Sequence, residues 1–148
     1  MFNNNINDLA NKKLREKWKS LGFYFTFDEN KKQWSFYGSK AQLKVVYALL
    51  CQYYKDPSNA KLGEHKHFGP YMILKIATWN KALINNEGIY GTLEDLKRLS
   101  NLLLQKIENN ADFVIDKEYS LENESILHFY FFPKDINPAS FDKSLESL

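Results

Sequence analysis

Tyr37-Gly38-Ser39, followed by Leu43-Lys44, Leu49-Leu50 and Gln52, returns 53 residues later as Tyr90-Gly91-Thr92, Leu96-Lys97, Leu102-Leu103 and Gln105. The shared pattern is Y-G-[ST]-x3-L-K-x4-L-L-x-Q. Its physical content is a strand that ends at an aromatic, a glycine that releases the backbone, and a hydroxyl that caps a helix. Ser39 has Gln42 three residues on, the capping-box spacing. Glu94 and Asp95 fall in the first turn of the second helix, where its dipole favours anions. Buried stripes then follow at helical spacing: Leu43, Val46, Tyr47, Leu50 and Tyr54 in one helix, and Leu96, Leu99, Leu103 and Ile107 in the other.

Outward from these helices, strands are expected. Phe23, Phe25 and Phe27 alternate with Tyr24 and Thr26, and Asp28 to Lys32 is a polar turn leading to a returning strand over 33–37. Tyr71 to Trp79 is the most hydrophobic strand of the middle region, and Gly88-Ile89-Tyr90 is a short one. Residues 112–119 and 125–132 pair as a hairpin, its second strand apolar on both faces and therefore inside a sheet. Residues 57–69 read as a loop, 80–88 as a long turn and 134–148 as a tail. Ile6, Leu9, Ala10, Leu14 and Trp18 predict an amphipathic helix over 6–20, stopped at Gly22, with a fraying Asn-rich start before it.

The sum is an α+β protein in the order α-ββα-ββα-ββ: one antiparallel sheet of about six strands with two main helices on one face. A chain of 148 residues makes one domain, here read as two related ββα units (23–55 and 71–108) plus a C-terminal hairpin (112–132). Its composition, 44% hydrophobic and 16% aromatic, excludes disorder as the general description. No apolar run approaches the ~20 residues of a membrane span, and no apolar block of a secretory signal opens the sequence. A lone Cys51 forbids an internal disulfide, which fits a reducing, cytoplasmic setting.

Twenty basic and eighteen acidic residues give a net charge of +2, too balanced for a dedicated nucleic-acid binder. The halves differ: residues 1–55 hold ten Lys/Arg against four Asp/Glu, and residues 56–148 hold ten against fourteen. The basic excess begins at Lys12, Lys13, Arg15, Lys17 and Lys19, and the acidic excess gathers at Asp112, Asp116, Glu118, Glu122 and Glu124. A split of this kind steers charged partners. Phosphate loops, paired CxxC, HExxH and GxSxG are absent from the sequence. His65 and His67 at i, i+2, with His128 as a third group, form the one candidate metal set; Lys66 between them argues against it. Cys51 lacks a neighbouring base and reads as a packed thiol. Tyr53-Tyr54, Tyr71 and Trp79 are the aromatics expected to reach the surface, where such rings anchor interfaces.

Phe68-Gly69-Pro70-Tyr71, Leu74-Lys75-Ile76, Thr78-Trp79, the run Gly91 to Leu102, and Asp135 with Asn137-Pro138-Ala139-Ser140 carry a resemblance. Over roughly residues 68–142 the chain resembles a family of small uncharacterised bacterial proteins. In size and style it is similar to immunity proteins of polymorphic or contact-dependent toxin systems. The resemblance implies a binding role, with a cognate toxin as partner, and supplies no catalytic residue and no cofactor. The expectation is a non-catalytic module that docks another protein through Asp116, Glu118, Glu122 and Glu124 together with Tyr71 and Trp79. If the toxin is a basic nuclease, the acidic hairpin is the natural docking surface. The alternatives are an enzyme or ligand-binding protein using the His65/His67 loop, and single-strand nucleic-acid binding by the basic first half.

Overall fold

The computed structural model describes residues 2–145, with side chains from residue 8 onward. Three helices and eight strands follow in the order α1 (Phe2–Leu21), β1 (Tyr24–Asp28), β2 (Gln33–Gly38), α2 (Lys40–Tyr54), β3 (His65–Phe68), β4 (Leu74–Thr78), β5 (Leu83–Ile84), β6 (Gly88–Gly91), α3 (Leu93–Ile107), β7 (Phe113–Ile115) and β8 (Ile126–Phe131). Short 3-10 turns occupy Pro57–Ala60, Pro138–Phe141 and Lys143–Leu145.

The chain is α+β, but its strands do not form one antiparallel sheet of about six. They form two mixed four-stranded sheets, ordered β1-β2-β8-β7 and β3-β4-β6-β5. In each, an antiparallel hairpin lies on either side of a central parallel pair, β2 with β8 and β4 with β6. The order is accordingly α-ββα-ββββα-ββ, because two segments read as irregular contain strands. Residues 65–68 expose three of their four side chains, so β3 shows no alternation in sequence. With only two residues, β5 is too short to have a period. At the other end, 112–119 contributes only the three residues of β7.

The offset of 53 reaches well beyond the quoted motif. Both α2 and α3 have 15 residues, starting at 40 and 93. Phe36 pairs with Phe129 and Ile89 with Ile76, and both 89 minus 36 and 129 minus 76 equal 53. The Phe132 N–H donates to the Gly38 carbonyl, and 53 residues earlier the Trp79 N–H donates to the Gly91 carbonyl, both at 2.9 Å. Two ββαββ segments, β1-β2-α2-β3-β4 and β5-β6-α3-β7-β8, thus exchange their second hairpins. The first sheet takes β7 and β8 from the later segment, and the second sheet takes β3 and β4 from the earlier one.

Both helix starts carry a complete capping box, Ser39 with Gln42 and Thr92 with Asp95. The glycine before each cap is required by close approach: a Cβ on Gly38 or Gly91 would stand 2.7 Å from the Cβ of Gln42 or Asp95. α2 packs on α3, α2 also meets β2 and β8, and α3 meets β6. Trp18, Phe25, Phe36, Leu43, Leu50, Ile76, Ile89, Leu99 and Phe129 belong to one continuous core that draws on both sheets and all three helices. The indole N–H of Trp34 on the first sheet donates to the Asn85 carbonyl beside the second at 2.8 Å.

Three finer expectations change. α1 begins at Phe2, so the Asn-rich start belongs to the helix; Ile6 lies outside the described side chains. Trp18 is buried, yet Leu9 is 57% exposed, so the apolar stripe of α1 is covered only toward its C-terminal end. Tyr53 is buried, its hydroxyl 2.8 Å from the Glu64 carbonyl oxygen and 2.7 Å from Thr78 Oγ1, whose own hydrogen goes to the Asn59 carbonyl. Among the described residues no helix is long and apolar enough to cross a membrane.

Candidate docking surface

The acidic hairpin is folded, and much of its charge is already matched. Glu118 pairs with Lys106 at 2.8 Å and Glu122 with Lys81 at 3.2 Å. The Lys106 ammonium holds the Glu118 carboxyl below the usual range. Asp116 uses its carbonyl to accept from the Asn123 amide at 2.8 Å. Asp116 and Glu124 form no ion pair among the described residues. Tyr119, between them, is buried; its hydroxyl donates to the Tyr90 carbonyl at 2.7 Å, and burial pushes its titration far up.

Tyr71 is exposed along its ring, but its hydroxyl donates to Asp142 Oδ2 at 2.5 Å, and the Trp18 indole donates to the same oxygen at 2.9 Å. Burial alone would raise Asp142, yet the hydrogen bonds from Tyr71, Ser144 and Trp18 outweigh it and hold the carboxyl below its ordinary value. Burial and the adjoining carboxylate push the Tyr71 hydroxyl up. Tyr71 therefore anchors the chain after residue 141 as well as presenting a ring.

The three histidines do not meet. The His65 and His67 rings lie 5.2 Å apart on β3 of the second sheet. His128 is on β8 of the first sheet, stacked on Tyr130 at 4.1 Å with its Nδ1 3.4 Å from Gln33 Oε1. Burial lowers its pKa. Among the described residues no group of three or more His, Cys, Asp or Glu side chains is arranged to hold a metal ion. Cys51 is buried on α2.

Exposed apolar surface concentrates elsewhere. Among the described residues, Leu62, Tyr71, Met72, Ile73 and Trp79 are five of the eight exposed large hydrophobic side chains, and all lie between residues 62 and 79, on the β3–β4 hairpin and its flanks. The sequence singles out Tyr71 and Trp79 as surface aromatics, but Met72 and Ile73 read as part of a strand over 71–79 that in fact begins only at Leu74, and Leu62 falls in the expected loop, where an apolar residue has no period to mark it. Leu74, Ile76 and Thr78 share the inner face and are buried; strand alternation puts Lys75, Ala77 and Trp79 on the other face, where Ala77 is also buried and Trp79 is exposed. Register sets His65 beside Ala77, His67 beside Lys75, Tyr90 beside Ala77 and Leu83 beside Tyr90 on the same outer face. Lys75 Nζ lies 4.9 Å over the Tyr90 ring and 3.0 Å from Glu87. The Tyr90 hydroxyl and then the Glu87 carboxylate raise its pKa.

The two edges of this second sheet differ. β5 is closed: the Ile84 carbonyl accepts from the Glu124 and Ser125 N–H groups, and its N–H donates to Asn123 Oδ1 at 2.8 Å. β3 is open. Gly63, at φ +92°, makes a bulge in which its N–H donates to the Thr78 carbonyl while the Thr78 N–H donates to the Glu64 carbonyl. Antiparallel alternation from that pair turns the main-chain groups of His65 and His67 away from β4.

Comparison with known family models, curated proteins and solved structures found no match to this chain.

Proposed function

We propose that this chain is a non-catalytic protein-binding module, most concretely a bacterial immunity protein that acts in the cytosol by occluding a toxin domain. The observation that carries the reading is the concentration of exposed apolar side chains on one hairpin: Leu62, Tyr71, Met72, Ile73 and Trp79 within eighteen residues of chain. Exposed apolar side chains gathered on one hairpin mark a candidate interaction site, and aromatic anchors dominate the energetics of such sites. The open β3 edge beside it offers main-chain groups to a partner. The toxin follows from the likeness in size and style noted in the sequence. The acidic hairpin supplies a secondary, steering surface, since Glu118 and Glu122 already have cationic partners.

Purifying the chain together with the product of a toxin gene next to its own tests this. A stoichiometric complex on size exclusion at micromolar concentration is the expected result. Two separate peaks at that concentration would remove the reading.

A further inference from the structure

The offset of 53 allows one sheet to report on the other. On the outer face of the first sheet, Phe141 from the Pro138–Phe141 turn rests against three rings: Tyr24 at 5.5 Å, Tyr37 at 5.5 Å and Phe132 at 5.7 Å between centroids. Tyr37 corresponds to Tyr90 and Phe132 to Trp79 at the constant offset. Tyr24, the hairpin partner of Tyr37, corresponds to Leu83, the hairpin partner of Tyr90. The second sheet thus carries an equivalent three-residue seat: Leu83, Tyr90 and Trp79. Among the described residues no aromatic ring stands over Tyr90 or Trp79, and Trp79 is 46% exposed. At the row position where the covered face carries Tyr130, this one carries the smaller Ala77, itself buried at 4% exposure between His65 and Tyr90, so the exposed part of the seat is the Trp79 end.

The segment that covers the first seat and the strands that flank the second carry complementary groups. The segment that covers the first sheet brings its phenylalanine between two acids, Asp135 and Asp142. Both are satisfied by donors there: Ser39 Oγ to Asp135, and Tyr71, Trp18 and Ser144 to Asp142. On the second sheet the strand outside the central pair carries His65 and His67, with Lys75 on the next strand; Glu87 is the acid held against Lys75. Where β7 carries Val114 opposite His128, β3 carries His67 opposite Lys75. The uncovered face is the one that lacks the covering segment's acids and supplies imidazole and ammonium donors in their place.

We propose that the outer face of the second sheet is the docking site for a short acidic segment of a partner protein, which seats an aromatic ring against Leu83, Tyr90 and Trp79 as Phe141 seats against Tyr24, Tyr37 and Phe132. This rests on the protein-binding reading and names its contact. The partner's ring covers Trp79, and its flanking carboxylates meet His65 and His67. Burial of an aromatic against such a seat is the kind of contact that dominates interface energies.

The probe is a blocked synthetic peptide of residues 135–143, carrying the same phenylalanine between acids, added to the full chain. Trp18 and Trp34 are 2% and 1% exposed, so acrylamide-accessible emission reports Trp79. The peptide is expected to shift that emission to the blue and protect it from acrylamide, saturably, while a Phe141→Ala peptide is silent and Leu83→Ser in the protein weakens the response. Absence of a saturable response overturns the assignment. So does a response given only by an oligothymidylate, which would make the face a single-strand stacking platform, or a concentration-dependent dimer that shields Trp79 without peptide. In the complex with a toxin domain, Trp79→Ala is expected to weaken binding about tenfold or more. A complex indifferent to that substitution ends this inference and leaves the protein-binding reading intact, whereas no complex at all ends the reading.

Discussion

The two sheets share a topology and divide the labour. The first has three strands of five or six residues beside the three-residue β7, and an aromatic interior, with Phe36 stacked on Phe129 at 4.6 Å and Phe129 on Phe113 at 4.7 Å. Its outer face is overlaid by Phe141, and its β1 edge lies against the turn that carries Phe141. The second has shorter strands and an aliphatic interior of Leu74, Ile76, Ile84 and Ile89. Its outer face has no covering aromatic ring among the described residues, and its β3 edge is open. One frame, used twice, is overlaid by the chain's own C-terminal segment in one copy and lacks such a cover in the other.

Breaking the frame separates them most sharply at position 88. Gly88 sits at φ +154°, and a Cβ there would stand 1.9 Å from the Lys75 carbonyl oxygen. Its counterpart 53 residues earlier is Ser35, an ordinary strand residue. Gly88→Ala is expected to lose about 3 kcal/mol or more by urea denaturation, through strain and backbone clash. Ser35→Ala, which removes only the acceptor for the Gln33 amide, is expected to lose about 1 kcal/mol. Equal losses would mean that the close approach at Gly88 does not set the second central pair apart from the first.

Core truncation comes next. Phe36→Ala is expected to cost about 4 kcal/mol and its counterpart Ile89→Ala about 3 kcal/mol, since both are fully buried and the ring leaves the larger void. A costlier loss at Ile89 would locate the dominant core in the second sheet. Removing either cap is smaller: Ser39→Ala and Thr92→Ala should each cost about 1 kcal/mol. Ser39 is the more sensitive of the two, because its hydroxyl also donates to Asp135.

The smallest stability effect belongs to the open face. Trp79→Ala should change the denaturation midpoint by less than about 0.5 kcal/mol, whereas Phe132→Ala should cost about 1–2 kcal/mol by removing the ring beneath Phe141. A large effect at Trp79 would show that its ring packs as structure. Acid and alkali give the same comparison a sign. His128 and its counterpart Lys75 shift in opposite directions, His128 down through burial and Lys75 up through Tyr90 and Glu87. An imidazole harder to protonate when folded contributes stability above the unfolded value of ~6.5 that is lost as pH falls through it. An ammonium harder to deprotonate contributes stability below the unfolded value of ~10.4 that is lost as pH rises through the higher folded value. His128→Gln should flatten the acid limb of a stability profile and Lys75→Met the alkaline one.

Local chemistry was readable wherever it acts over a few residues. The caps at Ser39 and Thr92, the stripes Leu43–Val46–Leu50 and Leu96–Leu99–Leu103, the stop at Gly22 and the interior placement of β8 all follow from short-range pattern. β3 was not readable, because an edge strand wet on both faces has no alternation to show. Tyr53 and Tyr54 look alike in sequence, yet only Tyr53 finds the Glu64 carbonyl and Thr78 and is buried. Of the candidate surface residues, Trp79 was visible as an aromatic at a strand end. Its lack of a covering ring was not, since that depends on the path of distant segments.

What the chain's order of residues determined by itself is therefore the pair of equivalent strand-to-helix joints, their caps and the offset of 53 that links them. Helix periodicity, capping and glycine release are set by neighbours within a turn or two, and such effects survive in the bare sequence. Only the tertiary structure decided that each β2- or β6-type strand takes its parallel partner from the other half. Strand pairing is a choice among distant segments of similar hydrophobicity, made by the register that buries Phe129 against Phe36 and Ile76 against Ile89 at once. That exchange builds two faces, and the path of residues 135–145 covers one of them.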